Sequence, residues 1–370
     1  MSAIPHTETP VVEELRSQAD DAFQIRVGEF MTVDYAEPHL ARGRRLLKRY
    51  PQIASLFGRN PWTMAVALFC SGGQVAVAWA LVTYQMPWWT YPLAAFLIGA
   101  LFCNCNNAVI HDASHDRVFR PRWANELTAW VANLPTIIPV GSSFRIFHMK
   151  HHRFQGDPAL DADMASETEA NFFGNSFFGK LAWQFAFPIV QSYRTSRFAE
   201  NKRIDFFNRW VAINWVVQFA FDALIVWWLG WAALAYFALS FVFSLGPHPV
   251  GARYVQEHFI FHRNQETYSY YGPMNLITLN VYHHNEHHDF PAVPWSRLPE
   301  LRRMVPEVYG QLYAHRSLTA LWFKFLFDPT ISLHRRIVRH YEFDGAGAPS
   351  VSRVSAQRAG AGELAADAAE

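Results

Sequence analysis

Two stretches of this chain are almost free of ionisable side chains, and polar sequence surrounds them. No Asp, Glu, Lys or Arg occurs between Arg59 and His111, and Asp222 is the only one between Arg209 and Arg253. A helix needs about 20 apolar residues to cross a bilayer, so each stretch has room for two passages. The pattern predicts one hairpin over 62–84 and 88–109, turning at Gln85-Met86-Pro87, and a second over 208–229 and 231–247, turning at Gly230. Trp88 and Trp89 mark the first turn, and Trp227, Trp228 and Trp231 mark the second. Tryptophan favours the membrane–water interface, which supports both placements. Residues 111–205 are too polar to cross, but 173–192 is apolar and aromatic around Phe177, Phe178, Trp183, Phe185 and Phe187, with Lys180 as an interruption. That stretch predicts a helix lying in the interface. The membrane body is expected over 30–343. A partly disordered or surface-bound extension (1–29) precedes it, and a disordered Gly/Ala/Ser-rich tail (344–370) follows.

Charge sets an orientation. The net charge of +1 gives no reason to expect a nucleic-acid partner, and a mean hydropathy near zero hides the uneven distribution. Basic residues crowd 1–60, 111–209 and the C-terminal third, and neither short turn holds any. The positive-inside bias therefore puts both termini and all the polar segments in the cytoplasm. The basic run Arg42, Arg44, Arg45, Lys48 and Arg49 reads as a solvated face, or one lying on anionic head groups. The three cysteines, Cys70, Cys103 and Cys105, form neither a disulfide framework nor a CxxC zinc pattern, and Cys103 and Cys105 read as small apolar wall residues. The N-terminus lacks the apolar core of a cleavable signal. It opens Met1-Ser2, without the glycine that myristoylation requires.

The chemistry lies in the histidines. Eight of the 17 fall into three clusters: His111 and His115; His148, His151 and His152; His284, His287 and His288. Spacings of three and four residues put the rings on one side of a helix. Eight imidazoles are too many for one four-coordinate ion, and the count fits two ions in one cage. No HExxH zinc-protease motif occurs, and a single catalytic zinc would leave five histidines idle. A metal transporter would carry its ligands within the spans, and a metal store would show a low-complexity tract; neither pattern is present. A two-metal cage against a bilayer points to oxidation of a lipid, because breaking an unactivated C–H bond needs a metal and oxygen. Imidazole suits several metals, so the spacing does not name the ion. No HPGG or GxGxxG stretch occurs, so electrons must come from a separate protein.

At this point the chain resembles a known family. HDASH at 111–115, HMKHHRFQGDPALDAD at 148–163 and HNEHHDFP at 284–291 are similar to the three histidine boxes of membrane fatty-acyl desaturases. Three further stretches resemble the sphingolipid Δ4-desaturases more narrowly: DYAEPHLARGRRLLKRYPQIASLFG at 34–58, ETYSYYGPMNLITLNV at 266–281 and FDPTISLHRRIVRH at 327–340. The likeness spans roughly 30–340. It departs at Asp112, where close relatives usually have Glu. The resemblance implies two iron ions, O2 as co-substrate, and electrons from a cytochrome b5-like or ferredoxin-like protein. It implies a trans C4=C5 double bond set into the sphingoid base of dihydroceramide or a related lipid. C4 hydroxylation and acyl-lipid desaturation are the neighbouring alternatives, and a metal transporter or store is the non-enzyme one. It also implies metal ligation by His111, His115, His148, His151, His152, His284, His287 and His288. A ninth ligand is expected before the third box. His258 is the choice, ahead of His248, His262 and His283.

Ligating histidines usually donate their second N–H to an oxygen. Asp112, Asp116, Asp161, Asp163, Glu286 and Asp289 are close enough in sequence to accept. Asp222, alone in a span, and Tyr268, Tyr270 and Tyr271 are candidate lipid contacts. The expected fold is an all-α integral membrane protein. Four transmembrane helices carry a cytoplasmic helical cap with the two-metal site, and an apolar, kinked tunnel leads to it.

Overall fold

A computed structural model describes residues 26–197, 206–262, 264–343 and 349–352. Most of residues 1–29 and of the tail lie outside these. Within it, Pro349–Val351 pairs antiparallel with Tyr341–Phe343, so part of the segment expected to be disordered is a strand. The expectation of an all-α chain is otherwise met, apart from two further ladders of two residues per strand.

The charge-free stretches are long helices. Helix α1, Pro38–Arg49, precedes them. Helix α2 is Trp62–Thr83, and helix α3 runs continuously over Thr90–Ser114 through a π turn at Ala95–Gly99. At 1.5 Å per residue they extend about 33 and 37 Å, enough to cross. Trp88 lies in the intervening turn, 81% exposed. Helix α3 starts two residues later than expected and ends five later. His111 therefore sits in its last turn, and His115 is the C-cap. A Cβ at Gly99 would collide with Ser240, so glycine permits the close contact between α3 and the fourth apolar segment.

After the polar helices α4 (Arg122–Asn133), α5 (Gly141–Arg153), α6 (Glu167–Phe173) and α7 (Phe177–Arg197), the second hairpin begins. Helix α8, Arg209–Leu229, is capped by the Asn208 carboxamide, which accepts from the Trp210 and Val211 amides. Helix α9 covers Trp231–Leu245 and is too short alone to cross. The helix of the expected span 231–247 ends at Leu245, two residues early. The chain bends by 42° into Pro249–His258. Pro247 and Pro249 cannot donate backbone hydrogen bonds, so the helix cannot continue through them. His248 caps the new turn by accepting from Val250 N at 3.1 Å. Among the described residues three helices are long and apolar enough to cross, or four if the bent pair counts as one.

Helix α7 matches the aromatic stretch read as interfacial. Phe178, Ile189 and Tyr193 are exposed, whereas Trp183 and Phe187 are buried. Its Lys180 is buried and donates to the Phe325 and Asp328 carbonyls at 2.8 and 2.7 Å. It thereby caps the C-terminus of Leu318–Phe327. The two ends of the body meet where Met31–Thr32 pairs in parallel with Ile337–Val338. Next to that pairing, Arg339 is fully buried. It donates to the Gln155 carbonyl at 2.8 Å and to both Glu266 oxygens at 2.9 and 2.7 Å. All three cysteines are free and buried.

Candidate metal centre

The third box forms helix α10, His284–Asp289, facing the C-terminal halves of α3 and α5. The break after α9 swings His258 into the same space, where its Nε2 lies 3.0 Å from the Nε2 atoms of His151 and His284. Nine imidazoles thus converge in two groups. His111, His115, His148, His152 and His287 form one; His151, His258, His284 and His288 form the other. Within each group the nearest ring nitrogens all lie within 4.8 Å of one another. Helical periodicity divides the second and third boxes, whereas His111 and His115 stay together in the first group. His148 and His152 are one turn apart and face the first group, and His151 between them is rotated toward the second. His284 and His288 likewise face the second group and His287 the first. The His152 and His288 rings stack at 4.1 Å where the groups meet.

The nitrogens cannot satisfy one another. In the first group Nε2–Nε2 contacts link His115, His148, His152 and His287 at 2.9, 3.1 and 3.0 Å. A neutral imidazole carries one proton, so it cannot donate at Nε2 to two neighbours. The buried Nε2 atoms of His111 and His288 have no hydrogen-bond partner. A cation resolves this arrangement. With a metal–nitrogen bond of about 2.1 Å, ligands at a right angle lie about 3.0 Å apart and tetrahedral ones about 3.4 Å apart. The linked nitrogens lie within reach of a shared ion, and the others of each group lie within 4.8 Å.

Electrostatics agree with ligation. Burial, with neighbouring imidazoles, holds His148, His152, His284, His287 and His288 well below the usual histidine range. Burial, then Arg117 and Arg145, lowers His115 to about 3. These rings are therefore neutral near pH 7, as metal binding requires. At His151 burial acts downward, but Asp161 and Asp163 outweigh it and raise the ring to about 8.

Of the carboxylates expected behind the histidines, Asp161 accepts from His151 Nδ1 at 2.9 Å, and Asp163 lies 3.7 Å from the same atom. Asp289 accepts from His39 Nδ1 and Arg42 Nε, both at 2.7 Å, and from the Tyr309 hydroxyl at 3.0 Å. Burial works against its ionisation, but Arg42 outweighs that and holds the Asp289 carboxyl below the usual range. Glu286 accepts from the Ser269 and Tyr271 hydroxyls and contacts His283 rather than a box ligand. Asp112 instead accepts from the Trp295 amide, and Asp116 pairs with Arg145. Successive helical residues point about 100° apart, which turns Asp112 away from the ring of His111, and Asp116 lies past the helix end at a positive φ of 57°. Glu257, at 3.5 Å from His284 Nδ1, and His39 were missed, although Glu257 directly precedes His258. Arg42 is buried, contrary to a wholly solvated basic run; Arg44, Arg45, Lys48 and Arg49 are exposed. His262 and His283 belong to neither group.

A cavity of about 120 Å³ opens onto both groups, touching His148, His151 and His284. Ile110, Phe144, Phe147, Phe241 and Leu245 line it, and Asn107, Ser143, Gln191 and Thr195 add polar atoms. The other expected lipid contacts are elsewhere. Tyr268 and Tyr270 are buried in the cap, with the Tyr268 hydroxyl accepting from the Phe261 and His262 amides and that of Tyr270 from Met274. Tyr271 donates to Glu286 at 2.7 Å beneath the Arg302 guanidinium. Asp222 accepts from Gln218, one turn away on its own helix, at 3.0 Å. None of these four lines the cavity.

Comparison with known proteins meets this geometry. A fatty acid desaturase model matches residues 86–320, and a sphingolipid Delta4-desaturase model matches residues 28–62. The chain is 38% identical to sphingolipid delta(4)-desaturase DES1 of Drosophila melanogaster over 314 residues, 84% of this chain and 95% of the relative. The chain belongs to the sphingolipid Δ4-desaturase family. Human DES1 is 34% identical over 315 residues, 84% of this chain and 95% of that one. A Caenorhabditis elegans relative, named a putative sphingolipid delta(4)-desaturase/C4-monooxygenase, is 33% identical over 305 residues, 82% of each chain. This desaturase is therefore an oxidoreductase of lipids. The family model for residues 28–62 covers α1, the helix that carries His39 and Arg42 to the histidines.

Proposed function

We propose that this enzyme sets a trans C4=C5 double bond into the sphingoid base of dihydroceramide or a related dihydrosphingolipid, using two irons and O2. The observation that carries the reading is the pair of histidine groups opening onto one cavity. The five-histidine and four-histidine groups would each hold one iron. Bound there with O2, two donated electrons and two protons, the irons would supply the oxidising power that removes one hydrogen from each carbon, with two waters as the by-product. A group of five imidazoles exceeds the four places of a tetrahedral zinc, which supports iron.

The protein's own part is placement and exclusion of water. The apolar wall of Ile110, Phe144, Phe241 and Leu245 takes the hydrocarbon chain and keeps the site dry. C4 is bonded to the carbon that bears the sphingoid C3 hydroxyl. A Δ4 enzyme therefore needs polar groups close to its metals, and Asn107, Ser143, Gln191 and Thr195 line the same cavity as His148 and His151. An acyl-lipid desaturase acting far from a head group needs no such wall. C4 hydroxylation is the second reading, favoured by the printed name of the nematode relative.

The histidines lie at the opposite end of α3 from its tryptophan turn, which supports one cytoplasmic face for the cage and both termini. Electrons come from a separate cytochrome b5-like or ferredoxin-like protein. The test is expression in a host that makes only saturated sphingoid bases, with its lipids read by mass spectrometry. A C4=C5 product that disappears on His284→Ala is expected. No product from the wild type, or an unchanged yield from the variant, contradicts the reading.

A further inference from the structure

Helix α1 reaches the four-histidine group from 250 residues away in sequence. We propose that this helix locks the group: His39, through Thr267, fixes the tautomer of His258 and, by ring contact, the orientation of His288, and so decides whether the second ion is held. The proposal rests on the two-ion reading above.

The protons along this path can be placed in order. An ionised Asp289 only accepts, so the 2.7 Å contact puts a proton on His39 Nδ1, and Arg42 Nη2, 3.1 Å from the same nitrogen, donates instead to Asn285 Oδ1. His39 Nε2 must then accept, and the Thr267 hydroxyl donates to it at 2.7 Å. With its proton committed, Thr267 Oγ1 is left to accept from His258 Nδ1 at 3.3 Å. The Glu266 carbonyl, also 3.3 Å from that nitrogen, can only accept and enforces the same choice. His258 therefore keeps its proton on Nδ1, and its Nε2 lone pair faces His151 and His284. The His39 ring also packs on His288 at 4.8 Å.

The helix is built for this close approach. A Cβ at Gly43 would lie 2.5 Å from the Asp289 carbonyl oxygen. Glycine inside a helix is destabilising relative to alanine, a cost the contact explains. Arg42 pins the same junction, donating to Asp289 at 2.7 Å and to Asn285 Oδ1 at 3.0 Å. His39 and Thr267 touch no reacting atom in this arrangement; they are positioning residues.

The test uses the full chain purified in detergent, loaded with ferrous iron and titrated with a chelator. Iron is counted per chain, and Mössbauer spectra are taken. The wild type is expected to hold two irons. His39→Phe keeps a ring but removes both nitrogens, and Thr267→Val removes only the hydroxyl. In each, one iron is expected to bind about 10- to 100-fold more weakly while the other keeps its wild-type affinity. His39→Gln, which restores an acceptor for Thr267, is expected to recover most of the loss. Two irons retained at wild-type affinity in both variants, or both irons weakened equally, overturns the proposal. If His39→Phe does not fold, Thr267→Val decides alone. A wild type holding fewer than two irons overturns the two-ion reading and this inference with it.

Discussion

The two histidine groups are built differently. The five-histidine group draws only on the three boxes. The carboxylates nearest its members in sequence, Asp112, Asp116 and Glu286, are bound to Trp295, to Arg145 and to the Ser269 and Tyr271 hydroxyls. The four-histidine group takes His258 from beyond the break in the fourth apolar segment. Asp161 stands behind His151, Glu257 behind His284, and the His39–Thr267 pair behind His258. One group is made by local motifs; the other is assembled by the whole cap. The difference teaches that a ligand set and its orientation come from separate parts of the chain.

The comparison can be broken most severely at His258. His258→Ala is expected to abolish the C4=C5 product and to lower iron by about one per chain, because it takes one of four rings. Iron retained at the wild-type count would show that the groups are not separate sites. A paired change sharpens the contrast. Asp161→Asn removes the carboxylate behind His151, and metal affinity or activity is expected to fall about 10- to 100-fold. Asp112→Asn keeps an oxygen for Trp295 and is expected to leave iron binding unchanged. Equal losses in both variants would erase the proposed asymmetry.

A smaller effect is expected at the junction with α1. Gly43→Ala forces the helix away from Asp289 and should destabilise the fold by about 1–3 kcal/mol, measured by denaturant unfolding. A pH dependence of the chelator-treated protein is also expected. Burial lowers His115 to about 3 and His315, outside both groups, to about 4. The unfolded chain takes up protons near pH 6.5 while these folded rings do not, so stability rises with pH through this range. The unfolding midpoint is therefore expected to fall as pH drops from about 6.5 toward 4. A flat profile would mean that the rings are not held neutral.

The spans were legible in the sequence because a bilayer demands long runs without charge, and 62–84 became Trp62–Thr83 almost unchanged. The boxes were legible because their periodicity is local. The fourth apolar segment was legible as far as Gly246-Pro247-His248-Pro249, where no helix continues, but its bent continuation to His258 was not. The ninth histidine came from resemblance, since nothing in the spacing of His258 ties it to His151. His39 with Asp289, and Arg339 with Glu266, were not legible. Their partners are distant in sequence, and one buried histidine or arginine looks like any surface one until the chain is folded. The cavity's lining was illegible for the same reason, since α3, α5, α7 and α9 each contribute only a few residues.

Anomalous X-ray scattering at the iron edge, from crystals of the iron-loaded full chain, tests the central claim most directly. The expected result is two peaks, one enclosed by His111, His115, His148, His152 and His287, the other by His151, His258, His284 and His288. A single peak, or none within these rings, would contradict it.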